Sequence, residues 1–256
     1  MNPRLIHDNE KGYYTLCLVI SIFSYIGLIL SVIGIFYIVA GVVFTLFIHG
    51  LSIGHIQNNG VKLTEKQFPK IYKRAKVIAE GMGVYELPSI YIIQEGGVLN
   101  AFATRFFGRN FIILYSDFVE IVEDGHDAEL DFVIAHELAH IQRNHITKNL
   151  LILPALWIPF LGNAYSRACE YTCDRIATAH INNSCAAINA LKILAVGRIL
   201  FTKVDTTDYL DSASRENGFF VWLSHILSTH PPLPKRIREV QQLSMFPEMY
   251  GLSNLG

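Results

Sequence analysis

The chain has 256 residues, 51% hydrophobic and only 17% charged, whereas an ordinary soluble domain carries about 25% charged residues. Those proportions, with a mean hydropathy of +0.32, exclude a disordered chain and point to a portion embedded in lipid. A net charge of −1 supplies no general attraction for nucleic acid, and Cys17, Cys169, Cys173 and Cys185 form no CxxC pair, so they read as free thiols of a reducing compartment.

No Asp, Glu, Lys or Arg occurs between Gly12 and Val61. As one helix, residues 13–48 would extend for about 54 Å at 1.5 Å per residue, too long for a hydrocarbon core of about 30 Å. Two spans are expected instead, residues 13–31 and 34–53, reversing near Ser31-Val32-Ile33-Gly34. Arg4 and Lys11 precede the run, and Lys62, Lys66, Lys70, Lys73, Arg74 and Lys76 follow it. Two spans put both basic groups on one side, and the positive-inside rule makes that side cytoplasmic. The expected division is an N-terminal tail and membrane anchor, residues 1–60, and a water-soluble body, residues 61–256. The whole is an integral, multi-pass protein of the cell membrane with the lipid bilayer as partner.

In the body, Thr64 and Gln67 form a capping-box pattern, and Phe68, Ile71, Tyr72, Ala75 and Ile78 follow at helical spacing toward stop signals at Gly81 and Gly83. Strand-like runs at 89–94, 98–106 and 110–115 follow, the last two joined by a Gly108-Arg109-Asn110 turn that suggests a hairpin. Ser116 is expected to cap a short helix. A longer helix opens at Asp127 and runs to about Asn149, and others cover 163–181 and 184–201, the latter with Ser184 as cap. A polar loop, 203–218, precedes an apolar helix and a basic tail helix after Pro234. Residues 150–161 are apolar but too few to span a bilayer, and contain Pro154 and Pro159; a buried connection is preferred over a segment dipping into the membrane interface. The fold class is α+β, a mostly helical body with one small sheet. Nothing in the sequence specifies an oligomeric state.

The chemistry centres on His136-Glu137-Leu138-Ala139-His140. Residues at i and i+4 are a net 40° or so apart around a helix, so the two imidazoles can converge on one zinc ion with Glu137 beside it as general base. Burying two histidines and a carboxylate in so apolar a helix without a metal would be costly. A catalytic zinc needs a third protein ligand and an open position. On a continuous helix His145 falls half a turn from His136 and is rejected. Glu170 and Asp174, again i and i+4, offer one carboxylate as ligand and the other as acceptor of an imidazole N–H. Arg236 either pairs with a carboxylate of that region or is a solvated residue of the tail.

Together with Gln67-Phe68-Pro69, Leu99-Asn100-Ala101-Phe102-Ala103, and Thr229-His230-Pro231-Pro232 followed by Arg236-Ile237, these motifs resemble the membrane-associated gluzincins that include the HtpX-type heat-shock proteases and the CAAX prenyl proteases. The resemblance spans roughly residues 61–243. It implies a zincin-like catalytic domain holding one Zn2+ on His136, His140 and Glu170, with Glu137 as catalytic base and Asp174 behind a ligand. It further implies His230 near the developing oxyanion, and a strand containing Asn100, Ala101 and Phe102 that pairs with an extended peptide substrate. The implied activity is endoproteolysis of membrane-associated or misfolded proteins, and a non-proteolytic zinc-containing membrane scaffold is the alternative. Residues 150–161 are too short for the further spans of the HtpX-type proteins, and the many-helix barrel of the prenyl proteases has no counterpart, so a simple anchored catalytic domain is expected.

Overall fold

The computed structural model describes residues 2–94, 101–122, 124–253 and 255. A hairpin of two long helices, α1 (Asp8–Leu30) and α2 (Val32–Asn59), opens the chain. Ser31 alone breaks the helix: it is extended, and its Oγ accepts the Gly34 N–H to cap α2. A Cβ on Gly34 would lie 2.1 Å from the Leu28 carbonyl oxygen, so only glycine permits so tight a reversal. Both helices are long and apolar enough to cross a membrane. Their apolar side chains face outward, with Phe23 71%, Leu30 81% and Val32 86% exposed, which is how lipid-facing rather than core helices look.

The body begins with β1 (Val61–Lys62) and α3 (Pro69–Gly81), continues through β2 (Ser89–Ile93), β3 (Ala101–Phe106) and β4 (Arg109–Tyr115), and then turns helical. The helices are α4 (Ser116–Glu120), α5 (Asp127–Gln142), α6 (His145–Leu151), α7 (Leu153–Leu156), α8 (Leu161–Ile181), α9 (Ser184–Val196), α10 (Thr206–Arg215), α11 (Phe219–Leu227) and α12 (Leu233–Met245). The sheet order is β1-β2-β4-β3, with β2 parallel to β4 and the other pairs antiparallel. β3 is therefore an edge strand. The expected β3–β4 hairpin is present, turning through Phe107 and Gly108 at positive φ, the backbone a two-residue hairpin turn needs.

Alternation along the strands serves two cores. Ile90, Ile92, Ile112 and Leu114 face the main core with α3, α5, α8, α9 and α12, while Tyr91, Ile93, Phe111, Ile113 and Tyr115 pack on Ile53 and Ile56 of α2. Because α2 covers the second face, β2 and β4 are apolar on both sides. Helix α5 is central, and Leu130, Phe132, Val133, Ile134, Ala135, Leu138, Ala139 and Ile141 bury it on nearly every face.

Several local expectations are corrected. Thr64 Oγ1 does accept the Gln67 N–H, but α3 starts only at Pro69 because Phe68 is left-handed. Ser116 is the first residue of α4 rather than its cap, and its hydroxyl bonds to Gln94. Asn183, not Ser184, caps α9 by accepting the Ala186 N–H. α9 ends at Val196 because Gly197 takes a positive φ. The loop expected at 203–218 contains α10, capped by Asp205. The helix expected to reach Asn149 stops at Gln142: Asn144 adopts φ 55° and ψ 33°, and α6 leaves in a new direction. Residues 150–161 are not a wholly buried connection. Ile152 and Ala155 are buried against Cys17, Tyr165 and Cys169, but Leu150, Leu151, Trp157 and Phe160 are exposed.

The N-terminal tail packs on the body. Leu5 joins the main core, Asn2 donates to the Tyr250 carbonyl at 2.7 Å, and His7 stacks on Tyr171 while its backbone N–H reaches Thr172 Oγ1 at 2.9 Å.

Candidate active site

Helices α5 and α8 pack side by side, with the small residues Ala135, Ala139, Cys173 and Ala177 in their shared core. The i, i+4 spacing then turns His136 and His140 toward Glu170. His136 Nε2 lies 3.4 Å from Glu170 Oε2, His140 Nε2 lies 3.3 Å from Glu170 Oε1, and the two Nε2 atoms are 3.3 Å apart. These three residues can hold a metal ion. Each imidazole has a group behind its other nitrogen: His136 Nδ1 lies 3.0 Å from Asp174 Oδ1, an ion-pair distance without hydrogen-bond alignment, and His140 Nδ1 lies 3.1 Å from His145 Nδ1. Two nitrogen lone pairs and a carboxylate facing one point repel one another unless a cation or a shared proton sits between them, so the donor set fits a bound cation.

Asp174 is fully buried and takes a two-pronged bond from Arg236, whose Nε and Nη2 donate to its two oxygens at 2.7 Å each. Arg236 Nη1 also lies 3.3 Å from Glu170 Oε2. Of the two readings of Arg236, the paired one holds, and the basic tail helix α12 is thereby part of the site. Burial alone would raise the Glu170 carboxyl, but hydrogen bonds from both histidines and the Arg236 charge hold it well below its ordinary range. Burial likewise opposes a charge on His136, yet its bonds to Asp174 and Glu170 prevail and raise it to about 10 in the metal-free protein.

A cavity of about 280 Å³ opens onto this cluster and is lined by Glu137, His230, Ala101 and Phe102 among others. His230 stands at the rim, 63% exposed in its side chain, with Nε2 3.6 Å from Glu170 Oε1 and Nδ1 3.0 Å from Thr229 Oγ1. Asn100 lies outside the described residues. The structure thus brings His136, Glu137, His140, Glu170, Ala101, Phe102 and His230 to one cleft, with Asp174 buried behind His136.

On a continuous helix His145 would face away from His136. The break at Asn144 instead turns it back onto His140, where burial pushes its imidazole down to about 4. Two further donor sets, His140–His145–Cys173 and Glu10–His145–Cys169, are close enough for a metal. Burial raises both thiols well above their ordinary value in the metal-free protein. Glu10 is already saturated by Arg143, Thr172 and His145. A hydrogen-bonded network accounts for these residues.

A histidine pair on one buried helix, joined by a carboxylate from the next long helix and open to a cleft, is a metallopeptidase arrangement. The comparisons agree: the chain belongs to peptidase family M48, whose sequence model matches residues 65–159 and 150–244. A protease HtpX homolog of Streptococcus pyogenes is 25% identical over 274 positions, covering 85% of this chain and 86% of that protein. The chloroplastic plastoglobule-localized metallopeptidase 48 of Arabidopsis thaliana is 26% identical over 184 positions, 62% of this chain and 52% of that protein, so the chain spans about half its length. A protease HtpX homolog of Halobacterium salinarum is 35% identical over 89 positions, 34% of this chain and 29% of that protein. No solved structure matches the chain.

Proposed function

We propose that this protein is a membrane-anchored zinc endopeptidase that uses Glu137 as general base. One observation carries the reading: the spacing among the three donor groups. Ligands bound to zinc at about 2.0–2.1 Å in a tetrahedron lie about 3.3–3.4 Å from one another. Here the two Nε2 atoms are 3.3 Å apart, which is that edge length, and each faces a different oxygen of the Glu170 carboxylate, His140 Nε2 Oε1 at 3.3 Å and His136 Nε2 Oε2 at 3.4 Å, so the carboxylate closes the donor set within reach of one ion. Zinc, when bound, would supply a Lewis acid and a water acidic enough to ionise near neutral pH.

Each residue then has a task. Glu137, buried beside the two histidines and lining the cleft, takes the proton of the attacking water on its carboxylate and returns it to the leaving amine. Asp174 holds His136 with Nδ1 protonated, leaving Nε2 free to ligate. His230, at the cleft rim, donates toward the developing oxyanion. The edge strand β3, through Ala101 and Phe102, pairs with an extended peptide, whose affinity comes from main-chain hydrogen bonds, and the assignment of Asn100 to substrate binding rests on the sequence alone.

The α1–α2 hairpin would span the bilayer with the catalytic body on the cytoplasmic side, as the basic residues flanking the hairpin favour. The exposed apolar side chains of Leu150, Leu151 and Trp157 adjoin the face of α7 that packs on α1, where Ser21 Oγ accepts the Ala155 N–H at 3.3 Å. They would face the same bilayer, bringing the cleft close to membrane-protein loops and tails as substrates.

The test is Glu137→Gln in the full detergent-solubilised chain, with zinc content and casein cleavage measured together. Wild-type zinc content with cleavage reduced by on the order of 10²–10⁴ supports the reading. A wild type that holds zinc yet cleaves no better than Glu137→Gln favours the scaffold.

A further inference from the structure

Glu10 sits in the first turn of α1, yet it is only 2% exposed and lies inside the catalytic body. Its Oε1 accepts from Arg143 Nη2 at 2.7 Å and lies 3.3 Å from His145 Nε2, while Thr172 Oγ1 donates to its Oε2. His145 in turn places Nδ1 3.1 Å from His140 Nδ1, with Cys173 Sγ 3.7 Å from the same atom.

The order of protons along this line follows from the acceptor at its end. A carboxylate can only accept, so His145 must present Nε2–H to Glu10. Its Nδ1 is then the unprotonated nitrogen and accepts from His140 Nδ1–H. That leaves the lone pair of His140 on Nε2, the atom that faces His136 and Glu170. Had His145 the opposite tautomer, two N–H groups would oppose each other at 3.1 Å.

We infer that Glu10, carried by the first membrane helix, is a positioning residue for the metal site. Acting through His145, it fixes the tautomer and ring orientation of His140. Asp174 does this for His136 directly; the second histidine is served by a relay whose carboxylate comes from the anchor. The inference rests on the proposed zinc site. It explains why the chain breaks at Asn144 to turn His145 inward, and why the extramembrane start of α1 is packed into the body rather than left as a tether.

Zinc affinity, measured by competition with a chromophoric chelator at pH 7.5, tests this on the full detergent-solubilised chain. Four proteins are compared: wild type, Glu10→Gln, His145→Ala and the double variant. Loss of a partner behind a metal-ligating histidine weakens metal binding about 10–100-fold. Each single variant is expected to show that loss, and the double variant no more than His145→Ala alone. Replacing zinc by Co2+ adds a spectroscopic readout, because a reoriented His140 shifts the visible d–d bands. Should Glu10→Gln fail to fold, His145→Ala, which leaves the Arg143 and Thr172 bonds to Glu10 intact, still decides: unchanged affinity and Co2+ spectrum overturn the relay. Glu10→Gln with a lowered melting temperature but wild-type affinity and spectrum makes the residue merely structural and overturns the inference. So do equal, additive losses in the double variant. A wild type that binds no zinc sinks the protease reading itself, and the inference with it.

Discussion

Arg236 offers the sharpest test of how the site is held. Replacing it by Met keeps the length and apolar stem of the side chain but removes the fork on Asp174 and the contact to Glu170. Asp174 has no exposed surface and Glu170 is 7% exposed, so water cannot take the place of the lost guanidinium. Removing one partner of a buried ion pair costs about 3–5 kcal/mol, because the remaining charge is left uncompensated. At about 2–4 °C per kcal/mol for a chain of this size, metal-free Arg236→Met should melt about 6–20 °C below wild type. Zinc would narrow the gap, because the cation compensates Glu170. Arg236→Lys should fall between, since an ammonium is a point charge and cannot reproduce two parallel bonds. Scanning calorimetry at one scan rate, with chelator and with zinc, reads wild type and both variants. Metal-free Arg236→Met melting within about 2 °C of wild type would refute the argument that this buried pair supports the site.

Other expectations follow from single residues. In the chelator-treated protein His136 is raised to about 10 by Asp174 and Glu170 against its burial. Its contribution to stability is therefore complete below the unfolded value of about 6.5 and is lost as pH rises through 10. Melting temperature should fall over that window without zinc and hold with it, and a flat metal-free profile would count against the network. Asn144 sits at φ 55°, where a β-branched side chain costs about 1–2 kcal/mol. Asn144→Val should lower both stability and zinc affinity while Asn144→Gly retains both, and equal behaviour of the two variants rejects the hinge. Trp157 is 84% exposed. In Trp222→Phe protein reconstituted into bilayers, its fluorescence should be quenched by lipids brominated on their acyl chains. Quenching by aqueous iodide alone would place it in water.

Regular periodicity made most of the architecture legible. The uncharged run before Val61, the 3.6-residue pattern of α3 and the alternating strands each reflect one dominant force, burial in lipid or core, acting over many residues. The zinc-binding candidates were legible for a related reason: i, i+4 spacing on a helix is a local fact, and both His136/His140 and Glu170/Asp174 are such pairs. What escaped was set by single residues or by long-range closure. Asn144 carries no strong breaker signal, because asparagine is tolerated in helices and in the left-handed region alike. Propensity alone extends α5 through Asn144 and so turns His145 away from the site, whereas the left-handed Asn144 turns it inward. Glu10 lies 135 residues from His145 in sequence and reads as the last acidic residue before a membrane run. Only the packing of α1 on α8 makes it part of the body.

That packing changes how the anchor should be regarded. A tether needs only length and hydrophobicity, and its first turn is ordinarily solvated. Here the entry to α1 instead brings Leu5 into the main core, stacks His7 on Tyr171 and buries a carboxylate. Burying a charge is costly unless it is fully bonded, and Glu10 has Arg143, Thr172 and His145 around it. Two of those partners flank the break that ends α5, and the third lies on α8 between Glu170 and Asp174. Helix α1 therefore meets the catalytic body at the break that ends α5 and at the stretch of α8 between Glu170 and Asp174. A shift of α1 relative to the body would be felt at His140 before it reached His136, whose support comes wholly from α8 and α12.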